Sequence, residues 1–438
     1  MKLVYNVHER PPFAKNLVYA LQQFLAIIAA TVLVPTLVNA GSGKTLLNAG
    51  AALVGAGVGT IVYLLFTKFQ SPVFLGSSFA FINPLIGVAA FGYWGIITGA
   101  LIAGLVYVII ALVVRFVGTK WIDKLMPPII IGPVVALIGL GLSGSAINNL
   151  CNIAASPDNY NLLYILVGLF TFFVTVIVSV KGGKGLRMIP FVIGILAGYL
   201  LATVITLIGY HACSVEYCKI IDFTTFAKIA DFSNWVPNFT FAHAFDFDLA
   251  NLATVALAFA PVAFVVFAEH IADHKNISSI IEKDLLEDPG LDRTLLGDGV
   301  GSIVGAFFGG CPNTTYGESV GCVAITGNAS VSTIFMAACY CIIAAFFYPI
   351  IVFIETIPVC IVGGICIALY GFIAVSGLRM FKHVDLDDSR NLFVVASILV
   401  TGIGGLTLNF GALSITNIAC ALIIGIITNT ILNKKKAE

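Results

Sequence analysis

The chain has 438 residues, no net formal charge, a mean hydropathy of +1.03, 59% hydrophobic residues and only 10% charged residues. These values exclude a soluble globular protein, and long apolar stretches recur along the whole sequence. We therefore predict an all-α polytopic membrane protein. The first residues are polar and include Arg10-Pro11-Pro12, so a cleavable signal peptide is not expected. The balanced charge does not indicate nucleic acid binding, and without a Walker loop, CxxC pair or zinc motif we predict neither cofactor nor metal.

Taken in chain order, the apolar stretches predict about fourteen membrane segments. The third and the tenth are short, and polar residues interrupt both of them. The segments begin near Asn16, Leu46, Val73, Trp94, Pro128, Leu162, Pro190, Leu249, Leu291, Tyr316, Val331, Pro358, Asn391 and Gly411.

The basic residues predict the orientation of these segments. If both termini lie in the cytoplasm, only Lys44, Lys219 and Lys228 of the 22 Lys and Arg residues fall outside. Cytoplasmic loops carry an excess of Lys and Arg, so this asymmetry supports both the orientation and an even number of segments. We predict a multi-pass protein of the cytoplasmic membrane with both ends inside.

A polar stretch divides the chain into two halves. Residues 211–248 form a predicted extracellular loop between a first repeat, residues 1–210, and a second repeat, residues 249–438. Each repeat has an odd number of segments, so the two have opposite orientations, and each is interrupted in its third segment, at 75–84 and 312–321. Inverted repeats with broken segments in corresponding positions are typical of transporters whose site lies near the bilayer midplane.

The cysteines serve mainly as small hydrophobic residues within apolar stretches. Cys213 and Cys218 differ, because both lie in the polar loop 211–248. A disulfide between them is one alternative and two free thiols the other, since the compartment is not given by the sequence.

Two carboxylates on the eighth segment are candidate proton-coupling groups. Glu269 and Asp273 are four residues apart near the end of an apolar run, so they share one helix face. Two carboxylates in a low-dielectric site resist double ionisation, and the pair can therefore hold a proton near neutral pH. Alternatively, Asp273 is a solvated helix end beside Lys275. Asp298, near the start of the ninth segment, is either a further coupling residue or a helix cap.

The interrupted segments supply candidate binding residues. Glu318 follows Gly317 where a helix should resume, so free backbone N–H groups and a carboxylate acceptor would lie together. An ionised Glu only accepts hydrogen bonds, which suits a planar ligand with N–H donors. At the matching break of the first repeat, Phe79 offers a stacking face and a backbone N–H, with ordinary packing as the alternative.

These residues belong to motifs that span nearly the full chain. With them the chain closely resembles the nucleobase–ascorbate transporter family (nucleobase:cation symporter-2), and within it the bacterial uracil permeases. The motifs are Glu9-Arg10-Pro11-Pro12, Ala30-Thr31-Val32-Leu33-Val34-Pro35, Gly76-Ser77-Ser78-Phe79-Ala80-Phe81, Ala268-Glu269-His270, Lys283-Asp284-Leu285-Leu286, Asp288-Pro289-Gly290-Leu291, Pro312-Asn313-Thr314-Thr315-Tyr316-Gly317-Glu318 and Tyr370-Gly371.

The resemblance implies a fold and a function. Fourteen segments would form two inverted repeats, with a short strand and a half-helix in segments 3 and 10. A core domain of segments 1–4 and 8–11 would move against a gate domain of segments 5–7 and 12–14, through which members of the family often dimerise. The implied function is proton-coupled import of a nucleobase, uracil first, across the lipid bilayer.

The resemblance also implies roles for single residues. Glu269 would bind the base and take part in proton coupling, together with Asp273 and Asp298. Glu318 would accept hydrogen bonds from ring N–H groups, and backbone amides would donate to base carbonyls. The implied binding residues are Phe79, Glu269, Tyr316, Gly317, Glu318 and Tyr370.

Some positions depart from the uracil permease pattern. Asp273 stands where those permeases usually have His, and Asp273 and Asp298 resemble the purine-transporting branch. Gln22-Gln23 stands where a His commonly follows Gln. In contrast, Glu318 stands where purine transporters usually carry Gln. Because Glu318 is a pocket residue, we expect uracil first and xanthine or another oxopurine second.

Other function classes fit the sequence less well. Sulfate and bicarbonate transporters share this general fold by analogy, but Glu269 and Glu318 would repel such anions. A membrane-embedded enzyme would need a nucleophile–base pair or a metal-ligand cluster within the segments, and we find no persuasive one. We therefore predict a transporter and not an enzyme.

Overall fold

The computed structural model describes residues 3–152, 160–183, 185–243, 249–380, 382, 384–410 and 413–432. Among the residues used above to predict orientation, Lys2, Lys184 and residues 434–436 lie outside this part of the chain. Residues 244–248, at the end of the predicted extracellular loop, also lie outside it.

The first half consists of helices and one short strand. They are α1 (Phe13–Ser42), α2 (Ala49–Phe66), β1 (Leu75–Ser77), α3 (Ile82–Val88), α4 (Gly92–Val117), α5 (Lys120–Leu125), α6 (Pro128–Gly141), α7 (Ser143–Cys151), α8 (Leu162–Lys181) and α9 (Pro190–Ile205). Local chemistry sets several of the starts. Asn48 and Asn161 cap α2 and α8, and a proline stands at the first position of α6 and of α9, where its missing N–H costs nothing.

The second half repeats this order after a loop of short 3-10 turns. Its elements are α10 (Leu252–Ile281), α11 (Leu291–Gly309), β2 (Asn313–Thr315), α12 (Gly317–Thr326), α13 (Val331–Ala345), α14 (Tyr348–Glu355), α15 (Val359–Met380), α16 (Ser389–Ile403), β3 (Leu408–Phe410), β4 (Leu413–Ile415) and α17 (Asn417–Leu432). In both halves two long helices precede a strand with a half-helix, a further helix and a short linking helix. The prediction of two seven-segment repeats in an all-α membrane protein is confirmed.

Length and composition identify most of the membrane segments. Within the described part of the chain, 8 helices are long and apolar enough to cross a membrane, or 9 if the bent pair α13–α14 forms one span. The helices α16 and α17 are shorter apolar helices, and α11 carries three charged residues. Segments 3 and 10 are divided between a strand and a half-helix, as predicted.

One predicted boundary was wrong. The last segment was predicted to begin near Gly411, which lies outside the described residues, but β3 and β4 pair antiparallel around it, with Leu408 opposite Ile415, and α17 begins only at Asn417. A short apolar run does not distinguish a strand from the start of a helix, which explains the error. The helix that carries Glu269 and Asp273 continues past Lys275, as α10, to Ile281.

The helices pack into two groups that each combine both halves. In the first group α11 lies against α2 and α4, α13 against α1 and α2, and α10 against α4. In the second group α15 lies against α6, α7 and α8, and α16 against α6 and α17. Glycines permit the closest approach, because a Cβ added at Gly55 of α2 would clash with the carbonyl oxygen of Gly305 in α11.

The motif Lys283-Asp284-Leu285-Leu286, which is part of the family resemblance, stabilises a loop. Lys283 Nζ, just after α10, donates to Gln70 Oε1 at 2.7 Å and pairs with Asp288 Oδ2 at 2.7 Å. The hydrogen bond from Lys283 lowers the pKa of the exposed Asp288. These contacts tie the α10–α11 loop to the loop that follows α2. In the polar loop after α9, Cys213 and Cys218 are both free thiols.

Candidate functional site at a crossing of two short strands

The two interrupted segments meet at an antiparallel pair of short strands. In β1 and β2, Leu75 lies opposite Thr315 and Ser77 opposite Asn313. A 3-10 turn at Phe79–Phe81 leads from β1 into α3, and α12 begins two residues after β2. The first N–H groups of a helix have no partner within it and form its positive end. The crossing therefore brings the donor ends of two half-helices together.

Neighbouring helices hold the crossing in place. Thr60 Oγ1 of α2 donates to the Leu75 carbonyl at 3.1 Å and accepts from the Leu75 amide at 3.0 Å. Asn313 Nδ2 donates to the Gly55 carbonyl at 3.0 Å. The Tyr316 hydroxyl donates to the Ser77 carbonyl at 2.9 Å, and its ring occupies the place where a Cβ at Gly76 would lie. The Tyr316 side chain thus clamps the two strands, with its ring buried among them.

A second contact joins α12 to α1. Ser319 Oγ accepts hydrogen bonds from Gln23 Nε2 and, at 3.2 Å, from the Phe74 amide. Gln23 belongs to the Gln22-Gln23 pair that departs from the family pattern. In this chain the Gln23 amide fixes the half-helix that carries Glu318.

The helix α10 passes beside the crossing and presents two carboxylates to it. Asp273 is only 5% exposed, and its Oδ2 accepts a hydrogen bond from Thr315 Oγ1 at 2.7 Å. Asp273 is therefore not a solvated helix end. Glu269, one turn earlier, is half-buried and interacts electrostatically with Asp273, Glu318 and Asp298. The structure thus brings the four predicted acidic residues into one cluster.

The accessible part of this cluster lies at the start of α12. Gly317 is exposed and Glu318 is half-buried, whereas the residues of β2 before them are buried. A Cβ added at Gly317 would lie 3.7 Å from Asp273 Oδ1. Glu269, Gly317 and Glu318 are therefore the predicted binding residues that a ligand can reach at this end of the crossing.

Two aromatic rings meet beside the crossing. The rings of Phe79 and Tyr370 are 5.7 Å apart and inclined at 79°, an edge-to-face contact. Phe79 follows β1 in the first helix group, whereas Tyr370 lies on α15 in the second. The contact between these two rings joins the two groups. The turn that carries Phe79 also contacts α10 of the first group, so the predicted site lies at the junction between the groups.

Sequence reasoning missed a buried polar network that joins α10 to α11 and to α2. His270 Nδ1 lies 2.7 Å from Asp298 Oδ2, and His270 Nε2 lies 3.0 Å from Thr294 Oγ1. Asp298 is 1% exposed and lies in the middle of α11, so it is not a helix cap. His274 Nε2 lies 2.7 Å from the hydroxyl of Tyr63. The spacing of two histidines by four residues within an apolar run was the available signal.

Several buried polar atoms around the crossing have no hydrogen-bond partner among the described residues. Buried groups of this kind normally bind a ligand or an ordered water, because leaving them unpaired is costly. They are Ser77 Oγ, Ser78 Oγ, Thr314 Oγ1, the Tyr107 and Tyr370 hydroxyls and Asp298 Oδ1. Such groups suit a small polar ligand. Within the described part of the chain no group of three His, Cys, Asp or Glu residues is arranged to hold a metal.

Comparison with known proteins identifies the family. A family model described as Permease family (Xan_ur_permease) matches residues 14–410. The chain belongs to this permease family. It is 38% identical to the uracil permease of Bacillus caldolyticus, over 98% of this chain and 95% of that protein. It is 38% identical to the uracil permease of Bacillus subtilis (strain 168), over 96% and 93%, and 34% identical to that of Escherichia coli (strain K12), over 96% and 92%. The predicted resemblance is confirmed, and the permease is a transport protein and not an enzyme.

Solved structures show the same fold at low sequence identity. The transmembrane domain of the cyanobacterial bicarbonate transporter BicA has a TM-score of 0.60 at 15% identity, over 97% of this permease and 100% of that chain. The murine anion transporter Slc26a9 in its inward-facing state has a TM-score of 0.66 at 10% identity, over 97% and 69%. At these identities the likeness concerns the fold alone.

Proposed function

We propose that this permease imports uracil across the cell membrane by symport with protons. The similarity to uracil permeases over nearly the full chain supports the substrate. The observation that carries the proposal is the accessible Glu318 carboxylate in the first turn of α12, where it interacts with Glu269 at the crossing of β1 and β2.

The chemistry of uracil fits this arrangement. Uracil is a planar ring with two N–H donors and two carbonyl acceptors. The Glu318 carboxylate accepts from the ring N–H groups, and Glu269 offers a second acceptor. The backbone amides of Phe79 and Gly317, at the donor ends of the half-helices, serve the carbonyls. The rings of Phe79 and Tyr370 contact the base, while the Tyr316 side chain supports the strands from behind.

Proton coupling is assigned to the acidic cluster. Glu269 and Asp273 share a helix face and Asp298 lies on the adjoining helix, so their charges act on one another. A base that binds Glu269 and a proton that neutralises the cluster would favour each other, which is the requirement for symport. Asp273 takes the place of the family histidine, with Thr315 as its hydrogen-bond donor.

The two helix groups correspond to the moving parts. We assign α1–α4 and α10–α13 to a core domain and α6–α9 and α15–α17 to a gate domain, with the site at the contact of Phe79 and Tyr370. Movement of one group against the other would open the site to each side in turn. We further propose that both termini are cytoplasmic and that two copies pair through the gate domain.

Transport by purified protein in liposomes tests this function. Labelled uracil should accumulate when the outside is more acidic than the inside, and a protonophore should abolish the accumulation. Unlabelled uracil should compete more strongly than xanthine, which is the second candidate because Asp273 and Asp298 resemble the purine branch. Accumulation that follows a sodium gradient and ignores the proton gradient would refute proton symport. Stronger competition by xanthine would refute uracil as the main substrate.

A further inference from the structure

The contact between His270 and Asp298 requires a proton whose position the neighbouring groups restrict. Asp298 Oδ2 and His270 Nδ1 are 2.7 Å apart and both side chains are at most 1% exposed. A carboxylate oxygen and an unprotonated imidazole nitrogen both accept hydrogen bonds, so one of the two atoms must carry a hydrogen. The state of the other ring nitrogen, Nε2, then decides how many protons the pair holds.

Thr294 gives this pair two complete hydrogen-bonded states. Thr294 Oγ1 lies 3.0 Å from His270 Nε2 and 3.1 Å from the Leu291 carbonyl oxygen. If the Thr294 hydroxyl donates to Leu291, it accepts from His270 Nε2–H, and a second proton lies between Nδ1 and Asp298. The pair is then neutral overall, because it is either imidazole with a carboxylic acid or imidazolium with a carboxylate.

The other state differs by one proton and needs no movement of heavy atoms. If the Thr294 hydroxyl turns to donate to His270 Nε2, that nitrogen carries no hydrogen. Nδ1–H then donates to an ionised Asp298, and the pair has one negative charge. Rotation of a single hydroxyl therefore lets one proton enter or leave while every nitrogen and the Oδ2 oxygen stay hydrogen-bonded.

The second oxygen of Asp298 shows that this is not a closed structural pair. Asp298 Oδ1 has no hydrogen-bond partner among the described residues. The ring of Tyr107 lies edge-on to His270, and the Tyr107 hydroxyl lies beside Thr314 of β2. Buried polar atoms of a purely structural pair are normally hydrogen-bonded. The free oxygen of Asp298 therefore distinguishes this pair from a closed structural one, and Tyr107 connects its surroundings to the strand crossing.

Other ionisable groups surround the pair. From α10 these are Glu269, Asp273 and His274, from α2 Tyr63, from α4 Tyr107, and from α12 Glu318. His274 holds its own proton in place, because its Nδ1 must donate to the His270 carbonyl at 2.8 Å. Tyr63 donates its hydroxyl hydrogen to Ser71 Oγ at 2.6 Å, and its oxygen lies 2.7 Å from His274 Nε2. The His270–Asp298 pair differs from His274 because it also contains a carboxylate that can share the proton.

We propose that His270, Asp298 and Thr294 form a reversible one-proton site, separate from the base-binding carboxylates, that loads and releases the transported proton. The inference rests on the proposed proton symport and adds to it the residues that hold the proton. In this arrangement Glu269 binds the base and titrates together with Asp273, and the neighbouring His270–Asp298 pair, which joins α10 to α11, stores the transported proton.

The Asp298→Asn variant tests the proposal, because the Asn amide N–H donates permanently to His270 Nδ1 and imitates the proton-loaded pair. In liposomes it should still exchange labelled external uracil for unlabelled internal uracil at equal pH on both sides. It should not accumulate uracil above the equilibrium level under a proton gradient. His270→Gln removes the imidazole that shares the proton with Asp298. This variant should likewise keep exchange and lose accumulation. It decides the question if Asp298→Asn shows no cooperative thermal unfolding transition in detergent and is therefore misfolded.

The control is Asp292→Asn, the same chemical change in the first turn of α11. It should keep both exchange and accumulation. Proton-driven accumulation by either pair variant would overturn the inference, since a merely structural pair predicts that result. Loss of exchange together with accumulation in folded variants would also overturn it, because the pair would then serve binding. If the wild-type protein itself does not accumulate uracil under a proton gradient, the proposed proton symport is wrong. That result is distinct from a failure of the proton-site assignment, which only the variants can show.

Discussion

Glu318 carries most of the proposed specificity among single residues, because its carboxylate is an accessible acceptor at the donor end of a half-helix. The substitution Glu318→Gln keeps the shape of the side chain but replaces one acceptor oxygen by a donor and removes the charge. Loss of a charge-assisted hydrogen bond costs about 1.5–3 kcal/mol, so we expect uracil affinity to fall roughly ten- to a hundredfold. Binding measured by calorimetry on purified protein checks this. Unchanged affinity would remove Glu318 from the site.

Asp273 and Glu269 should respond differently to substitution. Asp273 is bonded to Thr315 and buried, so Asp273→Asn should preserve much of the uracil binding. Two nearby carboxylates repel each other when both are ionised, and removing one charge lets Glu269 give up its proton more easily. Uracil uptake should therefore decline at a lower pH than in the wild type. Uptake by Asp273→Asn and wild type measured from about pH 5 to 9 tests the direction of this shift. Glu269→Gln, in contrast, should lose binding and transport together. An unshifted profile would limit Asp273 to a structural role.

Single residues were predictable from the sequence where they were chemically out of place. Glu269, Gly317 and Glu318 interrupt apolar surroundings, which have no water to satisfy a charge or an open backbone. Their partners were not predictable in the same way. The contact between His270 and Asp298 joins residues 28 positions apart, and it depends on the rotation of α10 relative to α11, which periodicity does not give.

At the level of elements, close contact between α2 and α11 positions the strand crossing. A Cβ at Gly55 would clash with the Gly305 carbonyl oxygen, and the Gly55 carbonyl also accepts the hydrogen bond from Asn313 of β2. The substitution Gly55→Ala should force the helices apart and destabilise the protein by about 1–3 kcal/mol, as overpacking typically does. Thermal unfolding in detergent measures the loss. Gly321→Ala is the control, because nothing lies within 4 Å of the added Cβ. Equal stability of the two variants would contradict this packing argument.

The interrupted elements were foreseeable and the hairpin was not. Polar residues and a proline within segments 3 and 10 break the apolar pattern, and this predicted the broken spans now seen as β1 with α3 and β2 with α12. In contrast, β3 and β4 contain single polar residues between apolar ones, and they continue into α17 without a charged residue or a proline that would mark a boundary. Their pairing with each other and the contact of β4 with α10 come from tertiary packing, which a composition window does not detect.

At the level of the whole molecule, the inverted repeat explains why the site is built from both halves. Opposite orientations bring the third segment of each repeat to the same depth, so that β1 and β2 can pair and their half-helices point away from one crossing. Each helix group also takes members from both repeats. A displacement of one group therefore changes the surroundings of Phe79 and Tyr370 together, which is the geometry expected for alternating access.

The proposed orientation can be tested with a residue that the chain already has. Cys213 is an exposed free thiol in the loop after α9, whereas most of the other described cysteines are buried. If both termini are cytoplasmic, this loop faces outward, and a membrane-impermeant maleimide should label Cys213 in intact cells. Cys213→Ser should remove most of that labelling. In the Cys213→Ser background, a cysteine introduced by Lys382→Cys, between α15 and α16, should react only after the cells are permeabilised. Labelling of Cys213 only after permeabilisation, with Lys382→Cys accessible in intact cells, would mean that the orientation is inverted.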